Sequence, residues 1–141
     1  MIEQRIGCSI REFFEREGEP AFRDLEQITI DELVRSTKGV LATGGGSVLR
    51  QANREVLRGS SKVIYLRSTP EEVFRRVRRD SGRPLLNVPD PMARLRALHA
   101  ERDPLYRETA HIVVETGRPS VARLVTMILA QLARAGVIPG R

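Results

Sequence analysis

Val63-Ile64-Tyr65-Leu66, followed three residues on by Thr69-Pro70-Glu71-Glu72, decides the fold class of this chain. The first four residues are apolar and partly β-branched, the pattern of a buried strand. The next four open a helix: a capping hydroxyl, a proline at the first helical position and a glutamate at the third. A strand that runs straight into a helix is half of a crossover connection, and crossovers build parallel sheets. The same short apolar runs recur on either side, at Val40-Leu41-Ala42-Thr43 and at Ile112-Val113-Val114. The expected class is α/β with a parallel sheet, whose ligands bind beyond the carboxyl ends of the strands.

Helices fill the intervals. Ser9 followed by Glu12 has capping-box spacing and predicts a short helix from Ser9 to about Glu17. A second is expected from Pro20 to about Arg35, with Thr29-Ile30 as a point where it could break. Others are expected over roughly 52–58, from Thr69 to about Arg79, and from Pro91 to about Glu108, the last disturbed by Pro104. Val121, Leu124, Val125, Ile128, Leu129 and Leu132 recur at helical spacing before a plausible stop at Gly136. Residues 79–91 are rich in proline and read as a loop long enough to have a function of its own.

Composition bounds the function. The 141 residues are one domain's worth of chain, expected to fold as a single unit over 1–141. An apolar share of 40% and a charged share of 30% are those of a globular protein rather than a disordered one. No apolar run approaches the roughly 20 residues of a membrane-spanning helix. Residues 1–5 have neither a secretory nor a transit-peptide character, so a cytoplasmic protein is expected. Cys8, as the lone cysteine, excludes an internal disulfide and a cysteine zinc cluster. His99 and His111 have no partners at ligand or triad spacing, and no metal site is expected. The net charge is +6, and apart from Lys38 and Lys62 all of the positive charge is arginine. Guanidinium forks suit phosphate and carboxylate, so an anionic partner is one reading of that balance. A general arginine bias on solvated faces is the other.

Gly44-Gly45-Gly46-Ser47 follows the first apolar run. Glycines there let backbone approach a ligand closely and offer unobstructed N–H donors. Arg83-Pro84-Leu85-Leu86 lies in the 79–91 loop, where one arginine could cover a transferring phosphate. Arg75, Arg76, Arg78 and Arg79 form a run just before it, either solvated or facing a nucleotide. Arg23 and Arg102 each stand on an expected helix beside apolar neighbours. No Gly-x-Ser-x-Gly elbow occurs, and no Gly-x-x-x-x-Gly-Lys-Ser/Thr loop to cradle phosphates.

Taken in order, these stretches resemble the shikimate kinases. The resemblance is carried by residues 2–10, Gly18-Glu19 with Phe22-Arg23-Asp24-Leu25-Glu26, Val40 to Val48, Val63 to Leu66, Arg83-Pro84-Leu85-Leu86, Glu101-Arg102-Asp103-Pro104-Leu105-Tyr106 and the last helix. It implies a three-layered P-loop kinase fold of the nucleoside-monophosphate-kinase type. It also implies ATP-dependent, magnesium-assisted phosphorylation of the shikimate 3-hydroxyl, on the route to chorismate and the aromatic amino acids. By position it assigns the shikimate carboxylate to Arg23 and Arg102, and the shikimate ring to the backbone of Gly45 and Gly46. Arg83 becomes the catalytic lid arginine over the ATP phosphates, and Arg76 and Arg118 approach the nucleotide base. A complete enzyme of this kind is expected to be a monomer.

The departure lies at the start. Family members open with a strand, a glycine-rich lysine loop, a helix and a second strand ending in Asp-x-Asp, and nothing here matches them. The chain as given is therefore expected to be inactive. The missing first strand lies between those matching residues 40–43 and 63–66, which would leave two apolar edges exposed to aggregation. Three explanations stay open: a coding frame that continues upstream of Met1, a non-catalytic paralogue that binds shikimate or a protein, and a basic nucleic-acid binder. With two tyrosines, four phenylalanines and no tryptophan, base stacking has few candidates, which counts against the third.

Overall fold

A computed structural model describes residues 1–36, 38–77, 88–117 and 119–139. The chain falls into two compact units, Met1–Ser61 and Lys62–Arg141.

The first unit is helical. It contains α1 (Ile2–Ile6), α2 (Ile10–Glu17), α3 (Glu19–Ser36), a 3₁₀ turn (Gly45–Leu49) and α4 (Gln51–Ser60). Ser9 caps α2 as its spacing predicts, its Oγ accepting from the Glu12 N–H at 3.1 Å. α1 was not foreseen. Five residues are too few to show a helical period, and Gly7 ends the helix with a left-handed φ of 72°. α3 runs unbroken through Thr29-Ile30. The buried Thr29 hydroxyl donates to the Leu25 carbonyl at 2.8 Å, one turn back, so the polar group is satisfied inside the helix. Phe22, Ile30, Val48 and Leu57 form the apolar core, and the Phe14 and Phe22 rings meet at 4.6 Å.

The second unit holds β1 (Ile64–Arg67), α5 (Pro70–Val77), α6 (Pro91–Thr109), β2 (Ile112–Glu115) and α7 (Val121–Arg134). β1 and β2 pair in parallel, Ile64 opposite Ile112 and Arg67 opposite Glu115. Val114 on β2 is almost fully buried, with Val77, Leu95 and Ala110 completing the core. The Val63 N–H donates to Nδ1 of His111 at 2.9 Å, so this histidine seals the entry to the sheet. Thr69 and Glu72 form the reciprocal capping box at the start of α5. Thr69 Oγ1 accepts from the Glu72 N–H, and Glu72 Oε2 accepts from the Thr69 N–H. Asp90 caps α6, which passes through Pro104 without ending. α7 turns Leu124, Ile128 and Leu132 inward and leaves Val121, Val125 and Leu129 exposed.

One expected strand does not form. Residues 40–43 have no strand structure, and Val40 is wholly exposed. A strand exists only where a neighbour completes its N–H and C=O groups, and among the described residues the only ladder is β1–β2. The apolar run has strand composition without a strand partner. No helix among the described residues is long and apolar enough to cross a membrane.

Candidate functional site

The first unit places Arg23 against the triple glycine. Glu19 and Glu26 lie four residues before and three after Arg23, so α3 presents all three on one face. Nη1 of Arg23 donates to Glu26 Oε1 at 2.8 Å, and Nε and Nη2 both reach Glu19 Oε1 at 3.4 Å. Only 13% of the Arg23 side chain and 6% of that of Glu26 are exposed, so this pair is shielded from water and salt. The guanidinium carbon also lies 5.2 Å from the centre of the Phe22 ring. A guanidinium has five N–H donors, and these bonds leave two for a ligand.

Gly46 is what the guanidinium packs on. A Cβ built at Gly46 would overlap the Arg23 head group, 2.6 Å from its Cζ and Nη1. The turn is braced from α4: Asn53 Nδ2 donates to the Ser47 carbonyl at 2.9 Å, and Arg54 Nη1 to the Val48 carbonyl at 2.7 Å. Arg50 ties the turn to α3 through Asp24 at 2.6 Å. Gly45 lies in the same 3₁₀ turn. Glu26 was missed by the sequence reading. Its helical spacing from Arg23 was the available signal, but spacing alone does not reveal burial.

In the second unit, Arg76 sits past the carboxyl ends of both strands. Its Nη2 donates to Ser68 Oγ at 3.2 Å and to Thr116 Oγ1 at 3.4 Å, one residue beyond β1 and β2 respectively. Glu72, Arg75, Arg76 and Gly117 line an open groove of about 480 Å³ there. This is the end of a parallel sheet at which ligands bind.

Arg102 lies on α6. Its Nε is buried and has no acceptor among the described residues. A buried donor left without a partner costs roughly 1–3 kcal/mol, so such a group is normally satisfied by something. The next residue, Asp103, is the hub of a polar network. Its carboxylate accepts from Tyr65 Oη at 2.7 Å, Arg107 Nε at 2.9 Å and Arg67 Nε at 3.1 Å. Burial by itself would raise the Asp103 pKa. Hydrogen bonds from Tyr65, Arg107 and Arg67 outweigh it and hold the carboxyl down to about 2. Tyr65 is pushed well above the ordinary phenol range, by burial first and then by its bond to Asp103.

The depressed Asp103 value makes a stability prediction. The stabilisation is fully present above the unfolded pKa near 3.8 and is lost as pH falls from there through about 2. Asp103→Asn is expected to cost about 2 kcal/mol at neutral pH. Its acid unfolding curve should also be flatter than that of the parent between those pH values. Urea melts at pH 7 and pH 3 measure both effects, and equal losses at the two pH values would refute the assignment.

Arg83 and Arg118, and most of the 79–91 loop, lie outside the described residues. Arg23 and Gly46 are brought together, whereas Arg76 and Arg102 belong to the second unit.

A sequence profile of the shikimate kinases matches residues 1–133. The chain belongs to the shikimate kinase family. It is 54% identical over 137 residues to the shikimate kinase of Ralstonia nicotianae, covering 97% of this chain and 72% of that one. It is 56% identical over 142 residues to that of Paracidovorax citrulli, covering 99% and 78%. Among solved structures it is similar to the Acinetobacter baumannii shikimate kinase in complex with shikimate. That similarity has a TM-score of 0.84 at 41% identity and covers 96% of this chain and 75% of the other. The Bacteroides thetaiotaomicron shikimate kinase, 24% identical with a TM-score of 0.82, shares the fold. The parallel α/β fold is thus that of shikimate kinases, a family of ATP-using phosphotransferases in aromatic biosynthesis.

The residues present fit this family's ligands unevenly. Arg75 and Arg76 give the groove guanidiniums suited to anionic groups. Among the described residues no three His, Cys, Asp or Glu side chains gather as metal ligands.

Proposed function

We propose that this chain carries the acceptor side of a shikimate kinase, and that its 141 residues by themselves do not transfer phosphate. Arg23, Gly45, Gly46 and Arg102 bind shikimate, and Arg76, Arg83 and Arg118 face ATP. The observation that carries the reading is the buried Arg102 Nε with no acceptor among the described residues, a donor that a ligand carboxylate would satisfy. Arg23 supports it with two spare N–H groups held rigidly over Gly46. Glu19 and Glu26 already neutralise Arg23, leaving a local charge of about −1 around it. Capture of a carboxylate therefore calls for a further positive group.

ATP supplies the phosphoryl group when bound. Among this chain's own residues, Arg76 holds the nucleotide at the strand ends, and Arg83 offsets charge developing on the transferring group. The acceptor residues hold the cyclohexene carboxylate so that its 3-hydroxyl is presented in one orientation. The sequence contains no glycine-rich lysine loop to cradle the phosphates.

Titration calorimetry with shikimate tests the acceptor side. The chain is expected to bind, and Arg102→Gln and Arg23→Gln are each expected to weaken binding by about 10- to 100-fold, the loss of one charge-assisted pair. A folded chain that gives no heat with shikimate would overturn the reading.

A further inference from the structure

We infer that Asp103 is a positioning residue: by anchoring one turn of α6 to the sheet, it sets the direction in which Arg102 presents its guanidinium. The inference rests on the reading of Arg102 as a shikimate ligand and deepens it.

The turn that carries Arg102 lacks one backbone hydrogen bond. Pro104 has no N–H, so the Ala100 carbonyl loses the bond that would close residues 100–104. With the ladder interrupted there, tertiary contacts must fix the helix at that point. Asp103 supplies them. Its carboxylate is bound by Tyr65 and Arg67, which both stand on β1, and Arg67 continues to Glu115 on β2 at 3.3 Å. The Tyr65 ring also lies 4.8 Å from that of Tyr106, three residues further along α6. Arg107, one turn on, closes the carboxylate from the helix side at 2.9 Å. The pinned residue is thus the immediate neighbour of Arg102, and successive residues on a helix diverge by about 100°. With Asp103 held on the sheet, the Arg102 Cα–Cβ direction is set. Rotation of α6 about its axis would move Arg102 and break the Tyr65 and Arg67 bonds together.

A double-mutant cycle read by shikimate calorimetry tests this. Asp103→Asn is expected to weaken shikimate binding about tenfold in the parent chain, and to have no further effect in an Arg102→Gln background. Tyr65→Phe removes one bond to the carboxylate at nearly constant volume. It is expected to weaken binding about threefold and to show the same dependence on Arg102, which keeps the test intact if Asp103→Asn does not fold. A merely structural network would instead weaken binding by the same factor whether or not Arg102 is present. That outcome, or parent-like affinity in a folded Asp103→Asn, would overturn the inference and leave the Arg102 assignment standing. If Arg102→Gln itself binds shikimate as tightly as the parent, the assignment falls and the inference with it.

Discussion

With ATP, magnesium and shikimate, the 141-residue chain is expected to form ADP at less than about one-thousandth of the rate of the full-length Ralstonia nicotianae relative. Phosphoryl transfer asks little covalent chemistry of a protein and depends on holding the phosphates in line and neutralising their charge. The proposed roles concern the acceptor and one end of the nucleotide: Arg23 over Gly46, Arg102 with a buried Nε that has no acceptor among the described residues, and Arg76 beyond the strands. No lysine follows a glycine-rich pattern; Lys38 and Lys62 both lie outside one. Arg83 would be left as the main counter-charge for a highly anionic donor. A coupled assay of ADP release, run beside the relative at matched concentrations, measures the ratio. Rates within tenfold would mean that the phosphates are held without the loop, and the proposed division of labour would be wrong. A circular dichroism spectrum of the same preparation separates lost chemistry from lost folding.

Gly46→Ala is expected to weaken shikimate binding by 10- to 100-fold while shifting stability by no more than about 1 kcal/mol. The added methyl group would occupy the place of the Arg23 head group. Gly46 is not held at a left-handed φ, so the backbone accepts alanine without strain. What must move is the end of a flexible side chain, and that is inexpensive for folding. It is costly for a guanidinium whose use depends on its direction. Calorimetry and a thermal melt on the same preparation read the two quantities. Intact affinity would show that Arg23 does not act from its place over the glycine. A large loss of stability with proportionate loss of binding would show that the glycine serves folding alone.

Local chemistry made the helical half of the fold legible. Ser9, Thr69-Pro70 and Gly136 mark helix boundaries through groups only a few residues away, and α2, α5 and α7 begin or end beside them. β1 and β2 were legible as apolar runs between helices. Their parallel pairing followed from connectivity, since an intervening helix forces a crossover. Residues 40–43 show where such reasoning stops. Apolar β-type composition is a property of the segment, whereas strand structure is a property of a pair, and the described residues supply no second member.

For the site, the sequence by itself determined which groups are available: guanidiniums instead of amines, glycines where backbone must come close, and no phosphate loop. Only the tertiary structure decided what each group is doing. It placed Arg23 on Gly46 across 23 residues of chain and buried Glu26 beside it. It also gathered Tyr65 and Arg67 onto Asp103 from 38 and 36 residues away. The physical reason is range. Capping, turn and periodicity signals act over a few bonds and leave a trace in local order. Burial and ion pairing between distant segments arise only when the chain has closed on itself.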